Sequence, residues 1–436
     1  MPPSGGPSAP VIWPPPSEPT PPPRSGRRWW RYLAWGLPIT VMVLGGLAVG
    51  VYLFVLSQIS VGTGEIAARR QRTEAFGWPL RLNDRVNVLL MGVDVTLDNR
   101  RRVLNVARAD TLAVISFDPE RGQIAVLSIP RDTRALIPGV GENKINAAYA
   151  FGGPRLTIRT VEQLLGVKMH FYIKLGPESF ARIIDAIGGV EVDVEKDMRY
   201  TDSWAGYKID LKKGRQRLNG DQATGYIRFR HDALGDIGRV ERQHKLLTSL
   251  VRQLRDPSTV VAAPKLLRVV AENTQTSLTP SEMMTLGFFA LRIKDEPLRM
   301  HTLPGTFAPE YWEPTTPKVQ ALVADLFYGV GPEDLTATSI EVLNASGIPG
   351  LGRRVADRVT TLGFRTVRVG TAAVSVEVTT IIDRTGRPGV ARMLAAVIGK
   401  ATIKQEPPSA GAPITILVAR DAARMVSVSV PTRSRF

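Results

Sequence analysis

The sequence predicts an α/β protein: a central mixed sheet flanked by helices, a smaller α/β domain after it, and one N-terminal transmembrane helix. Three observations carry this. Strand-length apolar runs alternate with segments of helical periodicity from about residue 85 to 330. A strand, glycine turn and helix pattern occurs twice in the C-terminal part of the chain. Residues Leu33–Leu56, LAWGLPITVMVLGGLAVGVYLFVL, hold no charge.

The uncharged segment is the first element. As a helix it measures about 36 Å, enough for a hydrocarbon core of about 30 Å. Arg24, Arg27, Arg28 and Arg31 precede it, which marks the preceding side as cytoplasmic. Trp29, Trp30, Tyr32 and Trp35 supply an interfacial belt on that side. The apolar stretch is too long for a cleaved signal peptide, and no small-x-small site follows it closely. The expected order is a disordered Pro-rich cytoplasmic tail over 1–32, the span over 33–56, and a linker over 57–84. The cell membrane is then the location, single-pass, with everything after the span extracytoplasmic.

Bulk composition narrows the chemistry. The net charge is +16, with arginine well ahead of lysine, so an anionic partner is expected. An extracytoplasmic body makes nucleic acid a poor choice for it. There is no cysteine, which excludes a disulfide framework and a thiolate metal site. Four histidines make an imidazole zinc site a poor expectation.

The larger domain, residues 85–330, opens with VNVLLMGVD, a buried strand ending in Asp94. TLAVISFD and QIAVLSIP follow as a strand pair joined at PERG. GPRLTIRTVEQLLG has helical spacing, HFYIKL reads as a strand, PESFARIIDAIGG as a helix, and VEVDV as a strand. YIRFR, from Tyr226, alternates and reads as a strand with Arg228 and Arg230 on one face and Ile227 and Phe229 on the other. DIGRVERQHKLLTSLVRQL is a long amphipathic helix. Its buried stripe runs through Ile237, Val240, Leu247, Val251 and Leu254, which leaves Arg239, Arg242 and Gln243 off the core.

The smaller domain, residues 336–425, contains the repeat. VLNASGIPGLGRRV from Val342 recurs as IIDRTGRPGVARML from Ile381, and TVRVG and ITILVA close the set as strands. The Gly-Pro-Gly turns are expected to be tight turns that need glycine rather than anion cradles. Residues 426–436 form a tail.

Two arginines at a strand end and two at the following helix start can converge on one anion, and guanidinium forks fit phosphate oxygens bidentately. Surface ion pairing, worth about 0–1 kcal/mol per pair, explains such a cluster equally well. Further residues weight the choice. Asp94 ends the first strand, Arg108 and Asp110 open the second, and Arg131 and Asp132 follow the third. Acids at strand ends are where α/β proteins place ligands. Two carboxylates with several arginines form the parts for metal-assisted phosphoryl transfer.

RADTLAVISFDP, LSIPRDT, KINAAYAFGG, GVEVDV, IDLKKGRQRLNGDQATGYIRFRHD and DIGRVERQ occur in order between about Val86 and Leu254. This series resembles the successive motifs of the LytR-CpsA-Psr family, and SIEVLNASGIPGLGRRVADRV resembles the LytR C-terminal domain often appended to it. The resemblance implies a cell-wall phosphotransferase that moves a glycopolymer from a polyprenyl-pyrophosphate carrier to peptidoglycan, typically to the 6-hydroxyl of N-acetylmuramic acid. It implies magnesium on Asp94 and Asp110. It implies pyrophosphate contacts from Arg108, Arg131, Arg228, Arg230 and Arg239, with Arg242 and Gln243 continuing the last motif as substrate-binding residues. Lys144 matches a motif position, and Asp132 or a metal-site acid is the expected base. The family also holds its lipid in an apolar tunnel. One departure is the basic insert VTLDNRRRVLNVA between Asp94 and Arg108. The competing expectations are a non-enzymatic lipid-carrier or wall-binding protein, a pyrophosphatase using water in place of the sugar, and a transcription regulator. The membrane span and the lack of a helix-turn-helix pattern speak against the last.

Overall fold

The structure is a computed structural model that describes residues 75–77, 81–94, 108–202, 207–229, 235–254, 263–293, 298–399, 401–408 and 411–423. All belong to one compact unit, Ile59–Phe436. The expected span Leu33–Leu56, the tail, the insert after Asp94 and Arg230 lie outside these residues. No described helix is long and apolar enough to cross a membrane.

Six strands build the central sheet: β1 (Val86–Asp94), β2 (Arg108–Asp118), β3 (Gln123–Ile129), β4 (Phe171–Leu175), β5 (Gln275–Thr276) and β6 (Leu298–Thr302). Their spatial order is β5-β4-β1-β2-β3-β6. The sheet is mixed: β1 is antiparallel to β2 and parallel to β4, and β3 is antiparallel to β2 and parallel to β6. β1 is apolar at nearly every position because both sheet faces are covered. Leu89, Met91 and Val93 face one core, shared with helix α1 (Ala147–Leu165), while Val88 faces another with Met283 and Leu286. The glycines of KINAAYAFGG break α1: Gly152 and Gly153 leave helical geometry, Gly153 at φ +59°, and the helix resumes at Pro154.

A third layer packs beside the sheet. Helices α2 (Pro177–Ala186), α3 (Gly220–Arg228) and α4 (Gly235–Leu254) share a core with the antiparallel pair Val190–Val194 and Gly214–Leu218. Here the structure corrects the sequence. YIRFR is not a strand, because Tyr226 to Arg228 are the last turn of α3. The determinant lies upstream. Asn219 caps the helix by accepting from the Gln222 N–H at 2.9 Å, and Gln222 Oε1 accepts from the Asn219 N–H at 3.0 Å. Five alternating residues are too few to outweigh a capping box.

The C-terminal domain is a five-stranded sheet: β7 (Ser339–Asn344), β8 (Arg365–Thr371), β9 (Thr380–Asp383), β10 (Thr402–Gln405) and β11 (Ile414–Val418), in the order β8-β7-β11-β9-β10. Helices α6 (Leu351–Thr361) and α7 (Pro388–Ile398) follow the two repeat turns, after α5 (Pro280–Arg292) in the larger domain. The turns are built alike. Asn344 Oδ1 accepts from the Ser346 N–H and hydroxyl, and Asp383 Oδ1 accepts from the Thr385 N–H and hydroxyl. Gly347 and Gly386 sit at φ +72° and +66°, which is why both turns need glycine. A π-helix, Ala324–Tyr328, joins the domains. Its Leu326 and Phe327 enter the larger core, while Ala324 and Val330 enter the smaller one.

Candidate active site

β1 and β2 pair regularly as far as Gly92 and Thr111, and then the register shifts: Val93 pairs with Ala109 and Asp94 with Arg108. Asp110 is therefore the extra residue of a β-bulge. In a regular strand, consecutive side chains face opposite ways. Here the bulge turns both Asp110 and Thr111 to one cavity. Gly92 makes this possible, since a Cβ there would stand 2.8 Å from Thr111 Cβ.

Arg131 and Asp132 leave β3 on a tight turn closed by the Thr133 N–H on the Pro130 carbonyl at 3.0 Å. The Thr133 hydroxyl donates to the same oxygen at 2.6 Å. The turn aims Arg131 back at the bulge, where Nη1 donates to Asp110 Oδ1 at 3.2 Å. Arg131 Nε lies 3.4 Å from Asp132 Oδ2, and Lys144 Nζ lies 3.0 Å from Asp132 Oδ1. Asp110, Arg131, Asp132 and Lys144 thus form one line of alternating charge, all half-buried or at its edge. Two aromatic contacts extend it: Lys144 Nζ is 5.9 Å from the Tyr311 ring centroid, and the Arg134 guanidinium carbon is 4.0 Å above the same ring. Arg134 is fixed in turn by Glu313 at 2.7 Å, which raises its pKa further.

The cavity measures about 110 Å³. Asp110, Arg228 and Gln243 line it beside apolar Val93, Leu175, Phe180 and Ile227. Arg228 stands in the last turn of α3, where a cation also suits the helix dipole. Gln243 of α4 donates to the Thr111 hydroxyl at 3.5 Å. So Asp110, Arg131, Asp132, Lys144, Arg228 and Gln243 come together. Arg108 is exposed at the start of β2, across from Asp94, and does not line the cavity. Arg230 and the side chains of Asp94 and Arg239 lie outside what is described.

Arg242 goes elsewhere. It is 3% exposed, donates to Glu195 at 3.1 Å and to the Phe229 carbonyl at 2.6 Å, and faces the Phe229 ring. The buried stripe of α4 therefore includes Gly238, Arg242 and Leu246, which corrects the expectation that Arg242 stays off the core. Burial works to raise the Glu195 carboxyl. Its hydrogen bonds outweigh this and hold it below the ordinary range, the Arg242 guanidinium and the Tyr226 hydroxyl among the donors. Burial, then Glu195, pushes the Tyr226 hydroxyl up. This is an internal ion pair binding α4 to the hairpin layer. Thr111, Arg134 and Tyr311 were not singled out in the sequence. Thr111 directly follows Asp110, but only the bulge reveals it, and Tyr311 carries no local signal.

Carboxylate oxygens as a class suit a hard, oxygen-seeking cation. Asp94 ends β1 opposite Arg108, two residues from Asp110 on the neighbouring strand. No group of three histidines or acids gathers among the described residues. A cation held by two carboxylates completes its shell with water and phosphate oxygens, which is how magnesium is usually bound.

Residues 52–327 match the LytR_cpsA_psr family, and residues 337–421 match the family described as LytR cell envelope-related transcriptional attenuator. A Staphylococcus aureus relative named Regulatory protein MsrR is 33% identical over 228 residues, which cover 52% of this chain and 66% of that protein, just under two thirds. An Oceanobacillus iheyensis relative named polyisoprenyl-teichoic acid–peptidoglycan teichoic acid transferase TagU is 33% identical over 273 residues, covering 60% of this chain and 81% of that protein. The crystal structure of B. subtilis TagV is similar at 28% identity and a TM-score of 0.48, over 56% of this chain and 96% of that one. With a family match over more than half its length and the charge line of the bulge inside that match, the chain belongs to the LytR-CpsA-Psr family.

Proposed function

We infer that this chain is a transferase of cell-wall assembly that moves a glycopolymer from a polyprenyl-pyrophosphate carrier to peptidoglycan. The observation that carries it is the line Asp110, Arg131, Asp132 and Lys144 abutting an apolar-lined cavity that Arg228 also enters. Relatives named as teichoic acid transferases support the substrate class. In the reaction, a muramyl hydroxyl oxygen attacks the phosphorus that bears the glycan. The bond from that phosphorus to the polyprenyl phosphate oxygen breaks, polyprenyl phosphate leaves, and the hydroxyl proton passes to a base.

This chain's residues divide the work. Arg131 and Arg228, with Arg108, Arg230 and Arg239, would stabilise charge on the pyrophosphate and on the leaving phosphate. Both oxygens of Asp132 meet cations, so it would hold Arg131 and Lys144 in position. Gln243 would orient the substrate through the Thr111 edge of the cavity. Asp94 and Asp110 would hold magnesium, which when bound neutralises pyrophosphate oxygens. A single-pass anchor at 33–56 would hold the body extracytoplasmic, and an apolar carrier chain would enter beside Phe180 and Ile227.

The test follows label from a polyprenyl-pyrophosphate oligosaccharide into peptidoglycan fragments. Arg131→Ala is expected to lower kcat about a hundredfold with little loss of fold. Unchanged turnover would remove Arg131 from the site. Label released without acceptor would mark a pyrophosphatase, and carrier retained without turnover would mark a binding protein.

A further inference from the structure

A second cleft, of about 1130 Å³, opens where the far end of the central sheet meets helix α7 of the C-terminal domain. Five arginines line it, Arg81, Arg121, Arg292, Arg299 and Arg392, against a single acid, Glu120. Three of them are held in place. Arg392 pairs with Glu120 at 2.6 Å across the domain joint. Arg299 grips Asp325 with two hydrogen bonds, at 3.0 and 2.6 Å. Arg121 donates to the Asp325 carbonyl at 3.2 Å and lies where a Cβ of Gly329 would be. Arg81 and Arg292 are exposed and have no carboxylate partner among the described residues. Gathered guanidinium groups repel one another unless an anion joins them. Their planar forks favour phosphate and carboxylate oxygens.

We propose that this cleft binds a segment of an anionic glycan chain, as a holding site for the polymer apart from the transfer site. The volume exceeds the usual range of small-ligand pockets, about 300–1,000 Å³, and so admits more than one sugar phosphate. Phe289, half-buried at the cleft, offers apolar surface for a sugar face. The arginines stand on the walls of a concavity, which a thin polymer enters and a flat lipid surface does not. Position adds a consequence. The cleft begins at Pro119, just past the end of β2, while Asp110 lies near its start. Asp118 stands eight residue steps along the strand from Asp110, about 27 Å at about 3.4 Å per step. A long polymer reaches both sites at once and a single repeat does not, so the cleft favours long donors by effective concentration. That consequence rests on the transferase inference above, while binding itself does not.

The experiment uses the full chain in detergent micelles and the double variant Arg81→Gln/Arg292→Gln. Neither residue belongs to the transfer site, and thermal melting checks that the variant folds as the parent does. Binding is measured with poly(glycerol phosphate), with neutral dextran and phosphatidylglycerol vesicles in parallel. The expected result is salt-sensitive binding of poly(glycerol phosphate) that weakens roughly tenfold or more in the variant, with dextran unbound. Transfer is then measured with a single-repeat donor and with a long-chain donor. The variant should match the parent on the first and show a raised KM on the second. Equal poly(glycerol phosphate) affinity in parent and variant overturns the proposal. A loss confined to vesicle binding also overturns it, and makes the cleft a membrane contact. If the parent transfers neither donor, the transferase inference fails, and the binding comparison still decides the cleft.

Discussion

His170 shows how burial sets a titration. The Asn87 N–H donates to His170 Nδ1 at 2.9 Å, which requires that nitrogen unprotonated, and the His170 N–H donates to the Asn87 carbonyl at 2.9 Å. Burial, then Lys168 nearby, lowers the imidazole pKa to about 4. The unfolded chain therefore takes up this proton first as pH falls. Stability from His170 is complete above about pH 6.5 and is lost progressively towards pH 4, by at most about 3 kcal/mol. Denaturant unfolding between pH 8 and 4 should show this slope, and His170→Asn should flatten it. A slope that survives the substitution would place its source elsewhere.

At the scale of elements, the bulge between β1 and β2 is the device that makes a site from a sheet. It turns two successive residues of β2 to one cavity, and it stands opposite the one glycine of VNVLLMGVD. Gly92→Ala puts a methyl 2.8 Å from Thr111 Cβ in the middle of paired backbone, where neither strand can yield. The expected cost is about 1–3 kcal/mol, read by thermal melting, together with reduced transfer because Asp110 rides on the bulge. Unchanged melting and transfer would mean that the sheet absorbs the methyl without moving Asp110. The α4 helix teaches the complementary point. Its apolar residues suggest one buried stripe, but Glu195 and the Phe229 carbonyl draw Arg242 inward. Apolar periodicity is blind to a buried charge whose partners come from distant segments.

For the whole molecule, the question is whether the two described domains act together. The joint is tight: Gly389, the second residue of α7, lies against the Tyr328 carbonyl so closely that a Cβ would overlap it. Arg392 and Glu120 bridge the same joint. Gly389→Ala should push α7 away and uncouple the domains. Calorimetry should then resolve a separate, lower transition for the C-terminal domain in place of shared unfolding. If the variant melts like the parent, the domains are independent already, and the basic cleft between them is less defined than its arginines suggest.

The sequence alone determined the α/β class, the β2–β3 pair, the repeat of the C-terminal domain and the family, because periodicity, turn residues and ordered motifs are local. It also singled out Asp110, Arg131, Asp132, Lys144, Arg228 and Gln243, since charged residues at strand ends stand out against apolar runs. The tertiary structure decided which of these meet. The register shift that turns Asp110 beside Thr111 and the internal pairing of Arg242 join residues distant in sequence, while the helix in place of the YIRFR strand is set by the capping box at Asn219. The arginine cleft also joins distant residues, its members running from Arg81 to Arg392. Hydrogen bonds and ion pairs act over a few ångströms of space, and only the folded chain says which residues share them.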